Sequence, residues 1–246
     1  MIDLNSRSQL ADRVNWHLDR ALVAEEDGHA PRDYLGGSII GDPCERAVQL
    51  HFLHVPPDDG RVIDGRMLRI FERGRWAEAA GARWLRLAGF TLLTEDQALG
   101  GQFEVTALDG RLKGHADGIL AFFRGGQAPI PLPSLWECKC LGAKYWRATV
   151  KEKLRRSHPR YFAQMQVYMA GLGLTQGLVT AVNADTMELY HEPVPFDPEA
   201  HEALIQRAGR ILTACDLGEE LPRMPGGETS VVCRMCAWWG RCWRPA

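Results

Sequence analysis

The chain has 246 residues, of which 46% are hydrophobic and 24% are charged. This length and balance are typical of a folded globular protein and exclude a disordered or fibrous one. The formal net charge is -2, so any contact with nucleic acid must come from local clusters of lysine and arginine.

The first residues, Met1 to Arg7, lack the apolar block of a signal peptide, and no later stretch has the length and hydropathy of a membrane span. We therefore expect a cytoplasmic protein with no membrane partner. Because the cytosol is reducing, the seven cysteines indicate metal ligation or burial rather than a disulfide framework.

The first half of the chain predicts three helices followed by strands. Apolar residues repeat at helical spacing in three segments, which are Ser8–Glu25, Pro43–Leu53 and Asp64–Ala88. Gly89 is expected to close the third helix. Four β-prone runs follow, at Thr91–Thr94, Phe103–Leu108, Leu112–Phe123 and Ser134–Leu141. Asp109-Gly110 predicts a hairpin turn between the second and third runs.

The second half returns to alternating helices and strands. The predicted elements are a helix Pro159–Leu172, strands Gly177–Asn183 and Glu188–His191, and a helix from Pro198 to about Leu217. This order predicts an α/β (α+β) fold with a central mixed sheet flanked by helices. With no repeat or linker, we expect a single domain over residues 1–246. Its core would span about 64–195, between an N-terminal helical segment (1–60) and a C-terminal segment (196–246).

Two acidic residues and a lysine lie inside runs that otherwise have the composition of buried strands. Asp117 follows Gly114-His115-Ala116, while Glu137 and Lys139 lie in Trp136-Glu137-Cys138-Lys139-Cys140. Successive strand side chains point to opposite faces, so Glu137 and Lys139 share a face. Because buried charges are unfavourable unless paired, the pattern predicts a polar site on that face.

Carboxylates on adjacent strands suit Mg²⁺ or Mn²⁺, because hard cations prefer oxygen ligands. A bound metal lowers the pKa of a water and neutralises phosphate charge, and a nearby lysine can orient the water or stabilise developing charge. We therefore interpret Asp117 and Glu137 as metal ligands and Lys139 as a catalytic residue. The alternative is a surface salt bridge between Glu137 and Lys139, with Asp117 beside a turn.

Two predicted helices support the first interpretation. Glu78 shares a helical stripe with Ala77 and Gly81 that faces the core, where an unpaired charge is costly, so Glu78 is a third candidate ligand. Gln164 and Tyr168 lie on one face of the later helix together with Tyr161. The alternative for this second group is an ordinary polar face.

These residues carry a resemblance to a known family. Gly114-His115-Ala116-Asp117-Gly118, Glu137-Cys138-Lys139 and Gln164-Met165-Gln166-Val167-Tyr168 resemble successive motifs of RecB-type nucleases of the PD-(D/E)XK superfamily. The resemblance implies a restriction-endonuclease-like core in which Asp117 and Glu137 bind metal and Lys139 assists catalysis. It also implies that Gln164 and Tyr168 engage DNA.

The chain departs from this family pattern at two points. Gly74-Arg75-Trp76-Ala77-Glu78 resembles the upstream helix motif, where many relatives have a histidine in place of Glu78. The interval from Asp117 to Glu137 is long and rich in glycine and proline, so we predict an extended hairpin loop there.

The cysteines near the C-terminus form a compact set. Cys233, Cys236 and Cys242 have C-x2-C-x5-C spacing and can supply three ligands to one metal. Cys44 is the best candidate for a fourth ligand, because the remaining cysteines lie within predicted strands or a helix. Trp238, Trp239 and Trp243 interleave with the set and are expected to shield it.

This split arrangement resembles that of AddB and of the CRISPR-associated exonucleases of the Cas-four type. In those relatives one N-terminal and three C-terminal cysteines bind a 4Fe-4S cluster, and the resemblance implies the same here. Zn²⁺ stays open as an alternative, because four thiolates suit either centre. In both cases the metal would join the two chain ends.

A basic segment lies between the lysine motif and the Gln164 helix. Its candidate DNA-binding residues are Lys144, Tyr145, Trp146, Arg147, Lys151, Arg155 and Arg156. Such a run can neutralise phosphates while its aromatic side chains stack on unpaired bases. The alternative is a solvated basic helix face.

Together these features predict a metal-dependent DNA nuclease, in the first instance an exonuclease on single-stranded DNA. Recombination, repair and CRISPR adaptation are the processes that the resemblance suggests, with a helicase or adaptation complex as partner. The alternatives are a structure-specific endonuclease or a non-catalytic DNA-binding scaffold subunit. The oligomeric state stays open, because ring-shaped relatives exist.

Overall fold

The computed structural model describes residues 7–28, 30–98 and 100–244. The prediction that no signal peptide is present rests largely on Met1 to Ser6, which lie outside the described residues. Within them the helices are α1 (Arg7–Asp27), α2 (Glu45–Phe52), α3 (Gly65–Leu87), α4 (Ala143–Ser157), α5 (Pro159–Gly171), α6 (Pro198–Leu217), α7 (Val231–Arg234) and α8 (Trp239–Trp243). The strands are β1 (Leu35–Gly36), β2 (Phe90–Leu93), β3 (Phe103–Ala107), β4 (Leu112–Ala116), β5 (Gly118–Phe123), β6 (Ser134–Leu141), β7 (Gln176–Asn183) and β8 (Leu189–Pro195).

The strands form two mixed sheets flanked by helices, which confirms the predicted mixed α/β composition. The larger sheet has the order β2-β5-β6-β7-β8, with β6 and β7 parallel and the other pairs antiparallel. The smaller sheet has the order β1-β4-β3, with β1 parallel and β3 antiparallel to β4. The prediction of one central sheet is therefore wrong in this respect.

The second sheet arises because the predicted strand Leu112–Phe123 is broken at Asp117. Its first part is β4, which pairs with β3 across the predicted turn at Asp109-Gly110. Its second part is β5, which pairs with β2 and β6 in the larger sheet. A strand cannot pass from one sheet to another without a break in its ladder of backbone hydrogen bonds. Asp117 lies at that break.

Most predicted helices are confirmed, with ends fixed by capping groups. The Asp64 side chain accepts a hydrogen bond from the Met67 amide at the start of α3 (2.7 Å), and Asp197 caps α6 through the Ala200 amide. Gly89, just past α3, has φ +100°, which suits glycine. The basic segment, for which we predicted no element, forms α4. Among the described residues, no helix combines the length and hydropathy of a membrane span.

The larger sheet has hydrophobic cores on both faces. One lies under α3, where Ala77 and Leu85 pack with Trp136. The other lies under α5 and α6 and includes Met165 and Ile211. Strand β6 pairs with β7 along most of its length and with β5 over its first residues, and it has a core on each face. Its side chains are therefore fixed more firmly than those of an edge strand.

Hydrogen bonds connect the segment after α2 to the C-terminal segment. The Asp58 carboxylate accepts from the backbone amides of Gly240 and Arg241, and the Asp58 amide donates to the Ala237 carbonyl. The Trp238 indole donates to the Val55 carbonyl (2.9 Å). The segment after α2 and the C-terminal segment are thus adjacent through contacts made by protein groups alone.

Candidate active site

Strand β6 places Glu137 and Lys139 on one face, as the strand period predicts. In the pairing of β6 with β7, Glu137 lies opposite Val179 and Lys139 lies opposite Ala181. The Lys139 ammonium donates to Glu137 Oε1 in a salt bridge, and the Glu137 side chain is 0% exposed. This pair is internal, so the alternative of a surface salt bridge on an edge strand is wrong.

Asp117 joins the pair from the junction of the two sheets. Strand β5 pairs with β6 only as far as Gly118 and Trp136, so the β6 backbone beyond that point lacks a partner on this side. Asp117 Oδ2 accepts a hydrogen bond from the Cys138 amide at 2.8 Å. The carboxylate therefore takes the place of the missing strand and is held beside Glu137 and Lys139.

The acidic groups of the site raise each other's proton affinity. Burial raises the pKa of Glu137 to about 8, with a further contribution from the charge of Asp117, while Lys139 acts in the opposite direction. Burial likewise raises the pKa of Glu78 to about 7, again with repulsion from Asp117. The pKa of Asp117 is also raised by burial. Glu78, on α3, is thus electrostatically part of the same site.

Lys139 is the cation that faces these carboxylates. Burial lowers its pKa, but the charges of Glu137 and Asp117 outweigh that effect, so the net shift is upward and the ammonium stays charged. Its Nζ also lies 4.9 Å from the centre of the Tyr161 ring, which the sequence had placed on the same helix face as Gln164. One positive charge therefore faces three acidic groups.

Gln164 and Tyr168 of α5 are buried against the site. Gln164 Nε2 donates to Glu137 Oε1 at 2.7 Å, which fixes the carboxylate from the helix side. Burial raises the pKa of Tyr168, with a smaller contribution from the charge of Glu137, so its hydroxyl is neutral. In this conformation both residues contact protein groups of the site, and their role toward DNA stays a prediction.

Glycines explain part of the motif that carries Asp117. A Cβ atom at Gly114 would lie 2.6 Å from Tyr168 Cζ, and one at Gly118 would lie 2.6 Å from the Leu93 carbonyl oxygen. The sequence alone did not reveal this requirement, because the partner atoms belong to distant elements. The motif therefore combines a carboxylate with two glycines whose backbone lies too close to neighbouring groups for a larger side chain.

The candidate DNA-binding residues are distributed around α4. Exposed members of the set are Lys144, Tyr145, Arg147, Lys151, Arg155 and Arg156. Trp146 is half-buried, and its indole donates to the Ala181 carbonyl (3.0 Å), which anchors α4 to β7. Arg155 forms an ion pair with Asp197 (2.8 Å). Their contact with DNA stays a prediction, and Trp146 and Arg155 already have protein partners.

The helix α4 also has a break that the sequence did not indicate. Lys153 has φ +68° inside it, and the next amide, that of Leu154, donates to the Glu192 carboxylate (3.0 Å). Lys153 Nζ donates to the Tyr190 hydroxyl, which donates in turn to Glu192. This network fixes the end of α4 to β8.

The four cysteines of the predicted cluster line one cavity of about 810 Å³. Cys44 precedes α2, Cys233 lies in α7, Cys242 in α8 and Cys236 between those two helices. Burial raises the pKa of Cys236, and the charges of Cys44 and Cys242 add to the shift. Lys139 and Gln164 line the same cavity, so it extends from the acidic site to the cysteines.

Neither group of residues forms a finished metal site in this conformation. Among residues 7–28, 30–98 and 100–244, no three His, Cys, Asp or Glu side chains are arranged so that they could hold a metal ion. The charges of the carboxylates act on one another, and so do those of the cysteines, so the members of each group lie near one another. Binding of one ion would require side-chain rotation within that neighbourhood.

Solved structures with a similar fold include nucleases. An alkaline exonuclease, LHK-Exo from Laribacter hongkongensis, is 17% identical, with a TM-score of 0.52 over 76% of this chain and 90% of that chain. The same enzyme in complex with dAMP gives the same TM-score and identity, over 76% of this chain and 89% of that chain. The protein SSO0001 is 15% identical, with a TM-score of 0.51 over 92% of this chain and 94% of that chain.

No protein-family model matches the sequence, and the search of curated proteins produced no match either. At these identities the structural likeness establishes a shared fold, while the chemistry has to be argued from the site itself.

Proposed function

We propose that the chain is a metal-dependent nuclease of the PD-(D/E)XK class that hydrolyses phosphodiester bonds of DNA. The observation that carries this proposal is the state of Glu137, a fully buried carboxylate whose Oε2 has no hydrogen-bond partner among the described residues. A buried carboxylate oxygen without a partner is costly. Asp117 and Glu78 lie close enough to raise its pKa further, so the group favours a bound cation.

The donor set fits Mg²⁺ or Mn²⁺, since these hard cations bind carboxylate oxygens. Asp117 and Glu137 would hold the ion, with Glu78 in support, although ligand geometry requires the side chains to rotate. When bound, such an ion supplies a water of lowered pKa and neutralises charge on a phosphate.

The protein groups then have separate tasks. Lys139, which stays charged, donates hydrogen bonds to the attacked phosphate or the attacking water and stabilises negative charge that develops there. Gln164 keeps the Glu137 carboxylate in one orientation. Tyr168, fixed by Gly114, holds β4 against α5 and so keeps Asp117 in place beside Lys139.

The substrate is proposed to be DNA that approaches along α4. Its exposed lysine and arginine side chains can neutralise phosphates next to the site. An alkaline exonuclease among the similar folds, one structure of which contains dAMP, supports an exonuclease that releases nucleotides. We propose a cytoplasmic enzyme that acts on single strands in recombination, repair or CRISPR adaptation, beside a helicase or adaptation partner.

We further propose that Cys44, Cys233, Cys236 and Cys242 bind a 4Fe-4S cluster, with Zn²⁺ as the alternative. All four line one cavity between the start of α2 and the C-terminal segment, and Cys236 Sγ accepts a hydrogen bond from the Trp238 amide (3.5 Å). Such hydrogen bonds to sulfur tune iron-sulfur centres. The proposed role is structural, since it would reinforce the contacts that Asp58 already makes.

The test is cleavage of DNA strands labelled separately at each end, with Mg²⁺ or Mn²⁺, by the wild-type protein and by Lys139→Ala. We expect the change to reduce cleavage about 100-fold or more. Lys113→Ala, which removes an ammonium that contacts the Tyr34 ring, is the control and should retain cleavage. An inactive wild type, or cleavage that Lys139→Ala leaves unchanged, would contradict the proposal in favour of a non-catalytic DNA-binding subunit.

The two labels also separate an exonuclease, which releases mononucleotides from one end, from a structure-specific endonuclease, which yields internal fragments. A matched RNA strand tests the preference for DNA.

A further inference from the structure

Three rings form a continuous row from the surface of α4 to Lys139. The Tyr145 and His158 ring centres are 6.0 Å apart, and those of His158 and Tyr161 are 5.2 Å apart. Lys139 Nζ lies 4.9 Å from the Tyr161 ring centre. The sequence had identified Tyr145 within the basic segment, but His158 had no assigned role.

The row leads from solvent into the cavity of the proposed active site. Tyr145 is 58% exposed. His158 and Tyr161 line the same cavity as Lys139 and Gln164. A chain that enters along α4 therefore meets Tyr145 first and reaches the catalytic lysine beside Tyr161.

His158 is held by packing between α4 and α5. It is the residue between the two helices, and its Nε2 is buried with no hydrogen-bond partner among the described residues. Burial lowers the pKa of His158, so the ring is neutral near pH 7. A hydrogen bond to the Tyr145 backbone also holds the His158 side chain, so the ring is fixed beside Tyr145.

Lysine and arginine side chains lie near the three rings. Lys144 Nζ lies 6.0 Å from the Tyr145 ring centre. Arg160 also lines the cavity and is anchored by a hydrogen bond to the Ser38 carbonyl (2.9 Å). Aromatic faces that alternate with cations are the chemistry that binds a single nucleic acid strand, because bases stack on the rings while phosphates pair with the cations.

We propose that Tyr145, His158 and Tyr161 form a nucleobase-stacking subsite that binds the unpaired bases of a DNA strand next to the bond to be cleaved. The inference rests on the proposed nuclease function and names how that site holds its substrate. Bases in a duplex have no free faces, so the subsite selects unpaired strands. Stacking accepts every base, so we expect little dependence on base identity.

The test compares binding of short single-stranded oligodeoxynucleotides with Ca²⁺ in place of Mg²⁺. One series is intact, and another carries a single abasic residue at successive positions. For the wild type we expect an abasic residue at one or two neighbouring positions to weaken binding about 5- to 100-fold. Tyr145→Leu and Tyr161→Leu should bind the intact strand more weakly and lose this sensitivity to the abasic residue.

Two controls separate stacking from folding. Tyr145→Phe and Tyr161→Phe keep the ring and should behave as the wild type does. Trp16→Leu removes an exposed ring of α1, outside the proposed site, and should leave both series unchanged. Tyr145→Leu is decisive, because Tyr145 does not contact the catalytic lysine in the way that Tyr161 does.

Equal binding of intact and abasic strands by the wild type, or an abasic effect that both leucine variants retain, would overturn the subsite. Cleavage assays on the same strands keep the two proposals apart. Abasic-sensitive binding without any cleavage contradicts the nuclease and leaves the subsite, whereas cleavage without abasic sensitivity contradicts the subsite alone.

Discussion

The acidic and cysteine ends of the shared cavity are built in opposite ways. At the acidic end, Glu137 and Lys139 lie two residues apart on β6. That part of β6 pairs with β7 on one side and donates a backbone hydrogen bond to Asp117 on the other. At the cysteine end, the thiols come from the residue before α2, from the short helices α7 and α8 and from the link between those two helices. The first geometry follows from strand pairing, whereas the second depends on contacts such as those of Asp58. The acidic end is thus fixed by strand pairing, while the cysteine end is held by contacts between loops and short helices, which the proposed cluster would reinforce.

The largest effect is therefore expected at the cysteine end. Cys236→Ser should release bound iron or zinc and loosen the C-terminal segment, because a structural metal site contributes on the order of 10 kcal/mol to folding. Metal analysis after anaerobic purification and limited proteolysis of the C-terminus measure both effects. Cys215→Ser, on α6 and outside the set, is the control. Wild-type protein that contains neither metal would contradict the proposed centre.

The next effect concerns catalysis at the acidic end. Glu137→Gln keeps the shape of the side chain but removes a metal ligand, so we expect DNA cleavage to fall about 100- to 10 000-fold. Glu202→Gln, on the exposed part of α6, serves as the matched control. Unchanged cleavage by Glu137→Gln would show that this carboxylate has no part in the reaction.

A smaller effect tests how firmly the strands fix the acidic end. Gly114→Ala places a Cβ against the buried Tyr168 ring and should destabilise the fold by about 1 to 3 kcal/mol. Gly74→Ala in α3 meets no atom within 4 Å and should stabilise it by about 0.5 to 1 kcal/mol. Denaturant unfolding measures both. Equal stability of the two variants would mean that the close approach to Tyr168 is not maintained in solution.

The last test of the acidic end is the pH dependence of the stability of the metal-free protein. Glu78 and Glu137 have raised pKa values of about 7 and about 8, so the folded chain binds more protons than the unfolded chain between about pH 4.5 and 8. Stability should therefore fall as pH rises through this range, by no more than about 1.4 kcal/mol per pH unit for each proton. Unfolding in the presence of a chelator measures the slope, and Glu137→Gln should reduce it. A stability that rises over this range in the wild type would contradict the assigned shifts.

The acidic end could be predicted from the sequence because a strand alternates its faces every residue. That period alone placed Glu137 and Lys139 together, and the salt bridge confirms it. The helices α3, α5 and α6 were likewise found from their apolar spacing. The alternative of an ordinary polar face for Gln164 and Tyr168 is wrong, because both side chains are buried and Gln164 donates to Glu137.

The break at Asp117 could not be predicted from the sequence. The alternate residues Leu112, Gly114, Ala116, Gly118 and Leu120 are all buried, so the strand period continues without interruption while the chain changes sheets. Hydrophobic alternation reports which face is buried, but it does not report which neighbouring strand makes the hydrogen bonds. The cysteine cavity could be predicted only in part. The spacing identifies three thiols, whereas the position of Cys44 depends on tertiary packing.

The position of Asp117 between two sheets has a consequence for the order of folding. A chain that had assembled only the five-stranded sheet would contain Glu137, Lys139 and the Cys138 amide, but its Asp117 would not yet be held from the other side by the β3–β4 hairpin. The pairings of β6 with β7 and of β4 with β1 join segments that are far apart in the sequence, which slows their formation. The complete constellation is thus a property of the finished protein, in which both sheets have formed.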